Sequence, residues 1–153
     1  MKPSSGEINV GMNILIVDDS MLIRQVVKKV LKQVGLQPDK ILEANDGKEA
    51  LAILEREEAG LVLSDINMPN MDGLQLLMHL RQTPKYETLP VIVVSTEGSE
   101  ETMREAMELG ANGYVLKPFT AEAMARQLRP LGLIPEQPAD GGPKVDLDDP
   151  TAF

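Results

Sequence analysis

The chain has no cysteine and no tryptophan, and its 153 residues include two tyrosines, two phenylalanines and one histidine. Without cysteine there is no disulfide framework, no thiolate zinc site and no thiol nucleophile. So few aromatics leave no stacking platform for single-stranded nucleic acid. Basic residues are scarce as well, 15 Lys and Arg against 24 Asp and Glu, for a formal net charge of −9. That balance argues against a broad basic face for a phosphate backbone. Long apolar runs are missing too: the longest are strand-length, far short of the ~20 residues that span a bilayer. Met1 to Asn13 lacks the apolar core of a signal peptide. Together these absences point to a cytoplasmic protein that meets other proteins rather than nucleic acid or membrane. At this length one domain with a core of its own is expected.

What is present is alternation. The run 13–17 reads as a strand, and an amphipathic helix follows over about 20–34, with Ile23, Val26, Val27, Val30, Leu31 and Val34 recurring at helical spacing. Ser20 stands at its N-cap position and Gly35 at its stop. Further strands read at 40–44, 61–64, 91–94 and 113–116, and further helices at about 47–58, 73–82, 99–109 and 120–129. Gly110 closes the fourth helix and Pro130 limits the fifth. Pro69 and Gly73 bracket a turn after the third strand. Five short strands alternating with five helices predict an α/β fold, a doubly wound parallel sheet with helices on both faces. The flavodoxin-like order 2-1-3-4-5 is the common five-strand solution. Residues 1–11 are expected to be a flexible leader and 12–131 the domain. Residues 132–153, with four Pro, three Gly and five acidic residues against Lys144, are expected to be a disordered tail.

Two strands end in carboxylates, Asp18-Asp19 after the first and Asp65 after the third. In an open parallel sheet functional groups gather outside the carboxyl ends of the strands, at the point where strand order reverses. With order 2-1-3-4-5 that point lies between these two strands, so three carboxylates converge. At ~5 Å and an effective dielectric of ~20 each pair repels by about 3 kcal/mol. Such a cluster calls for a divalent cation, a shared proton or both, and oxygen ligands favour magnesium. A terminal Asp can also simply cap the next helix.

Four segments, NILIVDDS, LVLSDINMPNMDG, LPVIVVSTEGSEE and GYVLKPF, stand in order at the ends of successive strands. In these the chain resembles the response regulator receiver domains of two-component signalling, over about Met12 to Leu131. It is most similar to the stand-alone, CheY-like chemotaxis regulators, because no effector domain follows. The resemblance implies that Asp65 accepts a phosphoryl group from a phosphohistidine on a CheA-like sensor histidine kinase. Asp18, Asp19, Asp65 and the backbone carbonyl of Asn67 would hold Mg2+, with Mn2+ as a substitute, Asp18 mainly through water. Lys117, before a cis Pro118, would pair with Asp65 or its phosphate, where a surface lysine beside an ordinary turn is the plainer reading. Ser95 would be the switch hydroxyl. Tyr114 would be the aromatic that follows it inward, the plainer reading being a half-buried sheet residue. The face made by the fourth helix, fifth strand and fifth helix would then bind a target of the flagellar motor switch or phosphatase kind. A monomer is expected. His79, on the third helix, reads as a surface residue, since the donor histidine belongs to the kinase.

The chain departs from the family pattern at three places. Thr96 stands where many receivers have Ala or Gly, Ile66 replaces a tryptophan beside the acceptor, and Pro130 shortens the last helix. Asn67 and Glu97 match a pair found in chemotaxis regulators that lose phosphate quickly, so these two and Thr96 are expected to tune dephosphorylation. A phosphorelay intermediate, passing phosphate to a histidine phosphotransfer protein, is the competing function. An aspartate-nucleophile phosphatase would need Asp-x-Asp after the first strand, where this chain has adjacent Asp18-Asp19. A nucleotide-binding protein would need a glycine-rich loop there. The chain is read as a signalling protein that assists its own phosphorylation and dephosphorylation, not as an enzyme acting on a separate substrate.

Overall fold

The computed structural model describes residues 8–9 and 11–135. Its main sheet has five strands, β1 (Asn13–Val17), β2 (Lys40–Ala44), β3 (Leu61–Ser64), β4 (Val91–Ser95) and β5 (Gly113–Leu116), in the order β2-β1-β3-β4-β5. All neighbours are parallel. Five helices alternate with them: α1 (Met21–Gln33), α2 (Gly47–Arg56), α3 (Gly73–Gln82), α4 (Glu100–Glu108) and α5 (Ala121–Leu128). This is the 2-1-3-4-5 order expected from the sequence.

The strands lack polar alternation because both faces of the sheet are covered. Ile14, Ile16, Leu61, Leu63, Ile92 and Val94 join Val27, Val30 and Leu31 of α1 and Met124, Ala125 and Leu128 of α5 in one core layer. Leu15, Val17, Val62, Val91 and Val93 face the other way, onto α2, α3 and Ala106 of α4. Every helix begins at a polar cap: Ser20, Asp46, Asp72, Ser99 and Thr120 each accept a backbone N–H three residues on. These bonds satisfy donors that a helix start leaves open. They also fix the five turns at the carboxyl ends of the strands, where the candidate site lies.

The structure corrects the sequence reading at several edges. α2 ends at Arg56 rather than 58. Val26 is 44% exposed, alongside Met21 and Leu22, because the buried stripe of α1 is centred on Arg24, Val27, Val30 and Leu31. Within the leader expected to be flexible, Ile8–Asn9 pair in parallel with Leu36–Gln37. The expected tail boundary at Gly132 is also too early. A 3-10 turn, Arg129–Leu131, follows α5, and Gly132 takes a left-handed φ of 76° that an L side chain adopts with strain. The chain then turns back, Leu133 N–H donates to the Leu128 carbonyl at 3.3 Å, and Ile134 is buried in the α1/α5 layer. The remaining tail, 136–153, lies outside the described residues. Ile134→Ala should therefore cost ~2 kcal/mol of stability through the lost burial and the cavity left behind. A denaturant midpoint equal to wild type would show that the contact contributes nothing.

Candidate functional site

Sheet register brings the site together. Val17 of β1 lies opposite Ala44 and Ser64, Ser64 opposite Val93, and Ser95 opposite Leu116. The residues that follow continue these ladders: Asp18 N–H donates to the Ala44 carbonyl at 3.0 Å, Asp65 N–H to Val17 at 2.9 Å and Lys117 N–H to Ser95 at 2.9 Å. Asp18, Asp65, Ser95 and Lys117 thus stand at one edge although 99 residues separate the first from the last.

Asp18, Asp65 and Ser95 are buried, while Asp19 and Asn67 are exposed. Lys117 Nζ bridges the two buried carboxylates, 2.9 Å from Asp18 Oδ2 and 3.2 Å from Asp65 Oδ2. Asp18 Oδ1 accepts the Ser20 N–H at 2.9 Å, and Asp65 Oδ1 accepts the Ile66 N–H at 2.7 Å. The Lys117–Pro118 peptide is cis. Burial pushes the Asp65 carboxyl above the usual range, against the pull of Lys117 and the Ile66 N–H. Burial alone would lower the Lys117 ammonium, but Asp18 and Asp65 outweigh it and hold its pKa above the ordinary lysine value.

One oxygen from each of Asp18, Asp19 and Asp65 can be chosen so that all lie within 4.8 Å of one another. Three carboxylate donors, one of them open to solvent, fit a hard divalent cation that keeps part of its water shell. One cation on the lysine leaves two negative charges uncompensated, and a second positive charge relieves them.

The Asp65 loop is held from behind. A Cβ on Gly73 would collide with the Asp65 carbonyl oxygen, and Gly73 N–H donates to Ile66 at 2.8 Å. The N-terminus of α3 therefore packs directly on the turn that carries Asp65, anchored by the reciprocal Asp72 and Gln75 bonds of a capping box.

On the opposite flank Ser95 Oγ accepts the Glu97 N–H at 3.1 Å, and Tyr114 donates its hydroxyl to the Glu97 carbonyl at 2.6 Å. Burial pushes the Tyr114 phenol up, with Ser95 pulling the other way. Ser95, Glu97 and Tyr114 are thus one hydrogen-bonded unit. Thr96 is exposed, and Glu97 Oε1 accepts from Thr102 at 3.4 Å. His79 is exposed on α3.

Sequence reasoning missed Arg24. Its Nη1 donates to the Asp18 carbonyl at 2.5 Å and to Asn45 Oδ1 at 3.0 Å, and its Nε to Glu43 Oε1 at 2.7 Å. The available signal was its place on α1, three residues before Val27 and seven before Leu31, on the buried stripe.

Comparison with known proteins agrees with this arrangement. A family model described as the response regulator receiver domain matches residues 14–129. A chemotaxis protein CheY homolog of Campylobacter jejuni is 39% identical over 118 residues, 76% of this chain and 89% of that protein. The solved structure of the chemotaxis response regulator CheY4 of Vibrio cholerae matches with a TM-score of 0.69 and 34% identity, covering 80% of this chain and 99% of that one. A chain of the CheX-CheY-BeF3-Mg2+ complex of Borrelia burgdorferi matches with a TM-score of 0.70 and 26% identity, over 79% of this chain and 89% of that one. Among the described residues no helix is long and apolar enough to cross a membrane. The family match spans β1 to the end of α5, and on that ground the chain belongs to the response regulator receiver domain family, with chemotaxis regulators of the CheY type among its relatives.

Proposed function

We propose that this chain is a phosphorylation-switched signal carrier of the chemotaxis type, with Asp65 as phosphoacceptor. The observation that carries the reading is the buried Asp65 carboxylate, held by Lys117 beside Asp18 and Asp19 at the carboxyl edge of the sheet. Asp18, Asp19, Asp65 and the Asn67 backbone carbonyl would hold Mg2+, with Mn2+ as substitute, and the cation would mask the repulsion between acceptor and phosphoryl group.

The chain's own residues do the rest. A carboxylate oxygen of Asp65 forms the new P–O bond as the P–N bond to the kinase histidine breaks, and the imidazole leaves with the electron pair. Lys117, already within 3.2 Å of Asp65, turns from carboxylate to phosphoryl oxygen and keeps a charge-assisted bond throughout. Ser95 holds the Glu97 N–H as acceptor and so retains its own hydroxyl proton to donate to the phosphoryl group. Movement of Ser95 carries Glu97 and Tyr114 with it, because they share bonds. That relays the event to the face of α4, β5 and α5, where a phosphorylation-dependent target of the motor switch or phosphatase kind would dock. Water attacking the phosphorus breaks the P–O bond to Asp65, releasing inorganic phosphate and restoring the carboxylate, and Asn67, Thr96 and Glu97 would border its approach.

The test is incubation with a small acyl phosphate and Mg2+. One phosphoryl group should appear, on Asp65 by mass spectrometry. Chelation, or Asp19→Ala, should reduce incorporation at least ~100-fold, and Mn2+ should restore it in the chelated wild type. Phosphate on another residue, or incorporation indifferent to chelation, would refute the reading.

A further inference from the structure

Among the described residues the buried polar ones are Asp18, Arg24, Ser64, Asp65 and Ser95. Three of them belong to the chemistry above, and Ser64 turns its hydroxyl back to the Asp65 carbonyl. Arg24 is left, a cation placed beside a candidate cation site. We infer that Arg24 is a positioning residue for the acidic cluster: its guanidinium, gripped by Glu43 and Asn45, fixes the peptide that joins Asp18 to Asp19. The inference rests on reading that cluster as the cation site.

Every polar group of Asp18 is engaged. Its N–H goes to Ala44, its carboxylate oxygens to Ser20 and Lys117, and its carbonyl to Arg24 Nη1. The carbonyl belongs to the same rigid plane as the Asp19 N–H. Holding that oxygen therefore holds the start of Asp19, whose exposed side chain inherits its placement from the backbone.

The guanidinium is itself immobilised. Register places Glu43 opposite Ile16, on the α1 side of the sheet, where Glu43 Oε1 takes Arg24 Nε at 2.7 Å. Lys28 Nζ, one turn further along α1, donates to Glu43 Oε2 at 2.6 Å. Asn45 Oδ1 completes the set at 3.0 Å from Nη1. With Nε held by Glu43 and one N–H of Nη1 by Asn45, the planar fork aims the other Nη1 N–H at the Asp18 carbonyl.

The sign of the effect separates positioning from charge. If Arg24 acted through its charge alone, removing it would relieve repulsion and tighten cation binding. If it positions the ligands, removing it weakens binding although a positive charge has gone. Groups that orient metal ligands are worth roughly 10- to 100-fold in affinity.

The experiment measures free Mn2+ by electron paramagnetic resonance with the full chain at neutral pH, well below its melting temperature, so that a loss of stability alone does not register. Arg24→Met, which keeps the apolar stem, should bind Mn2+ roughly 10-fold more weakly than wild type. Arg24→Lys keeps the charge but not the fork and should remain several-fold weaker. Wild-type or tighter affinity in Arg24→Met would overturn the positioning role, as would full recovery in Arg24→Lys. Should Arg24→Met fail to fold, Glu43→Gln loosens the anchor with Arg24 in place and should weaken binding roughly 3-fold; unchanged affinity there would overturn the role equally. No Mn2+ binding by the wild type would refute the cation site itself. Binding lost in Asp19→Ala but kept in Arg24→Met would refute only the part given to Arg24.

Discussion

Asp65→Asn is expected to reduce phosphate incorporation to background, from kinase and from acyl-phosphate donors alike, while making the domain more stable. The chemical half follows from the loss of an anionic oxygen nucleophile: a carboxamide cannot form the acyl phosphate. The stability half follows from burial. Asp65 is held above the ordinary carboxylate range by desolvation, so its ionised form is less at home in the folded state than in the unfolded one. For a carboxyl raised in this way the penalty is fully present above the folded pKa and vanishes below the unfolded value of 3.8. The amide removes it, which should raise the melting temperature at neutral pH. The gain should shrink as pH falls through the folded pKa. Parallel thermal melts of wild type and variant across that range would check both sign and window. A variant less stable than wild type at neutral pH would mean that the lost contact with Lys117 outweighs the relief, and retained incorporation would place the acceptor elsewhere.

Much of this site was legible because both sheet faces are covered. Covered strands read as unbroken apolar runs, and the polar residue that ends each run is a candidate site residue by position alone. Asp18, Ser95 and Lys117 follow that rule, Asp65 stands one residue past Ser64, and register does bring all four to one edge. What stayed hidden depends on pairings across the fold. Arg24 stands on the apolar stripe of α1, but its partner Glu43, 19 residues on, is identified only once β2 is known to face α1. Ile134 sits in a Pro- and Gly-rich stretch whose composition signals disorder, and only the reversal at Gly132 lets it dock. Val26 reads as inward because any apolar residue near the stripe suits helical spacing, whereas a shift of about 100° per residue carries it outside. Likewise Gly73 reads as an ordinary turn residue, and its contact with the Asp65 carbonyl needs the structure.

Ser95→Ala should leave chemistry intact and remove switching. The hydroxyl is not one of the three carboxylates of the cluster, and its bond is to the Glu97 N–H, so phosphate should still reach Asp65. What would disappear is the donor proposed for the phosphoryl oxygen, together with the acceptor that fixes the Glu97 N–H. Tyr114 hangs on the same segment through the Glu97 carbonyl, so its placement loses its tie to the phosphate. A hydrogen bond to a charged group is worth ~1.5–3 kcal/mol. Taken from the active arrangement alone, that loss lowers the active-to-inactive ratio by roughly 10- to 150-fold. The phosphorylated variant should therefore bind its target more weakly by up to that factor, while unphosphorylated variant and wild type bind alike. Tyr114 supplies a second readout in a Tyr86→Phe background, where the chain, with no tryptophan, has Tyr114 as its one remaining tyrosine. In that background the phosphorylated and resting forms should differ in its quenching, and with Ser95→Ala added the two should converge. Failure of Ser95→Ala to take phosphate would move the residue from switch to acceptor chemistry. Target binding equal to phosphorylated wild type would remove it from the switch and leave Lys117 as the group that reads the phosphate.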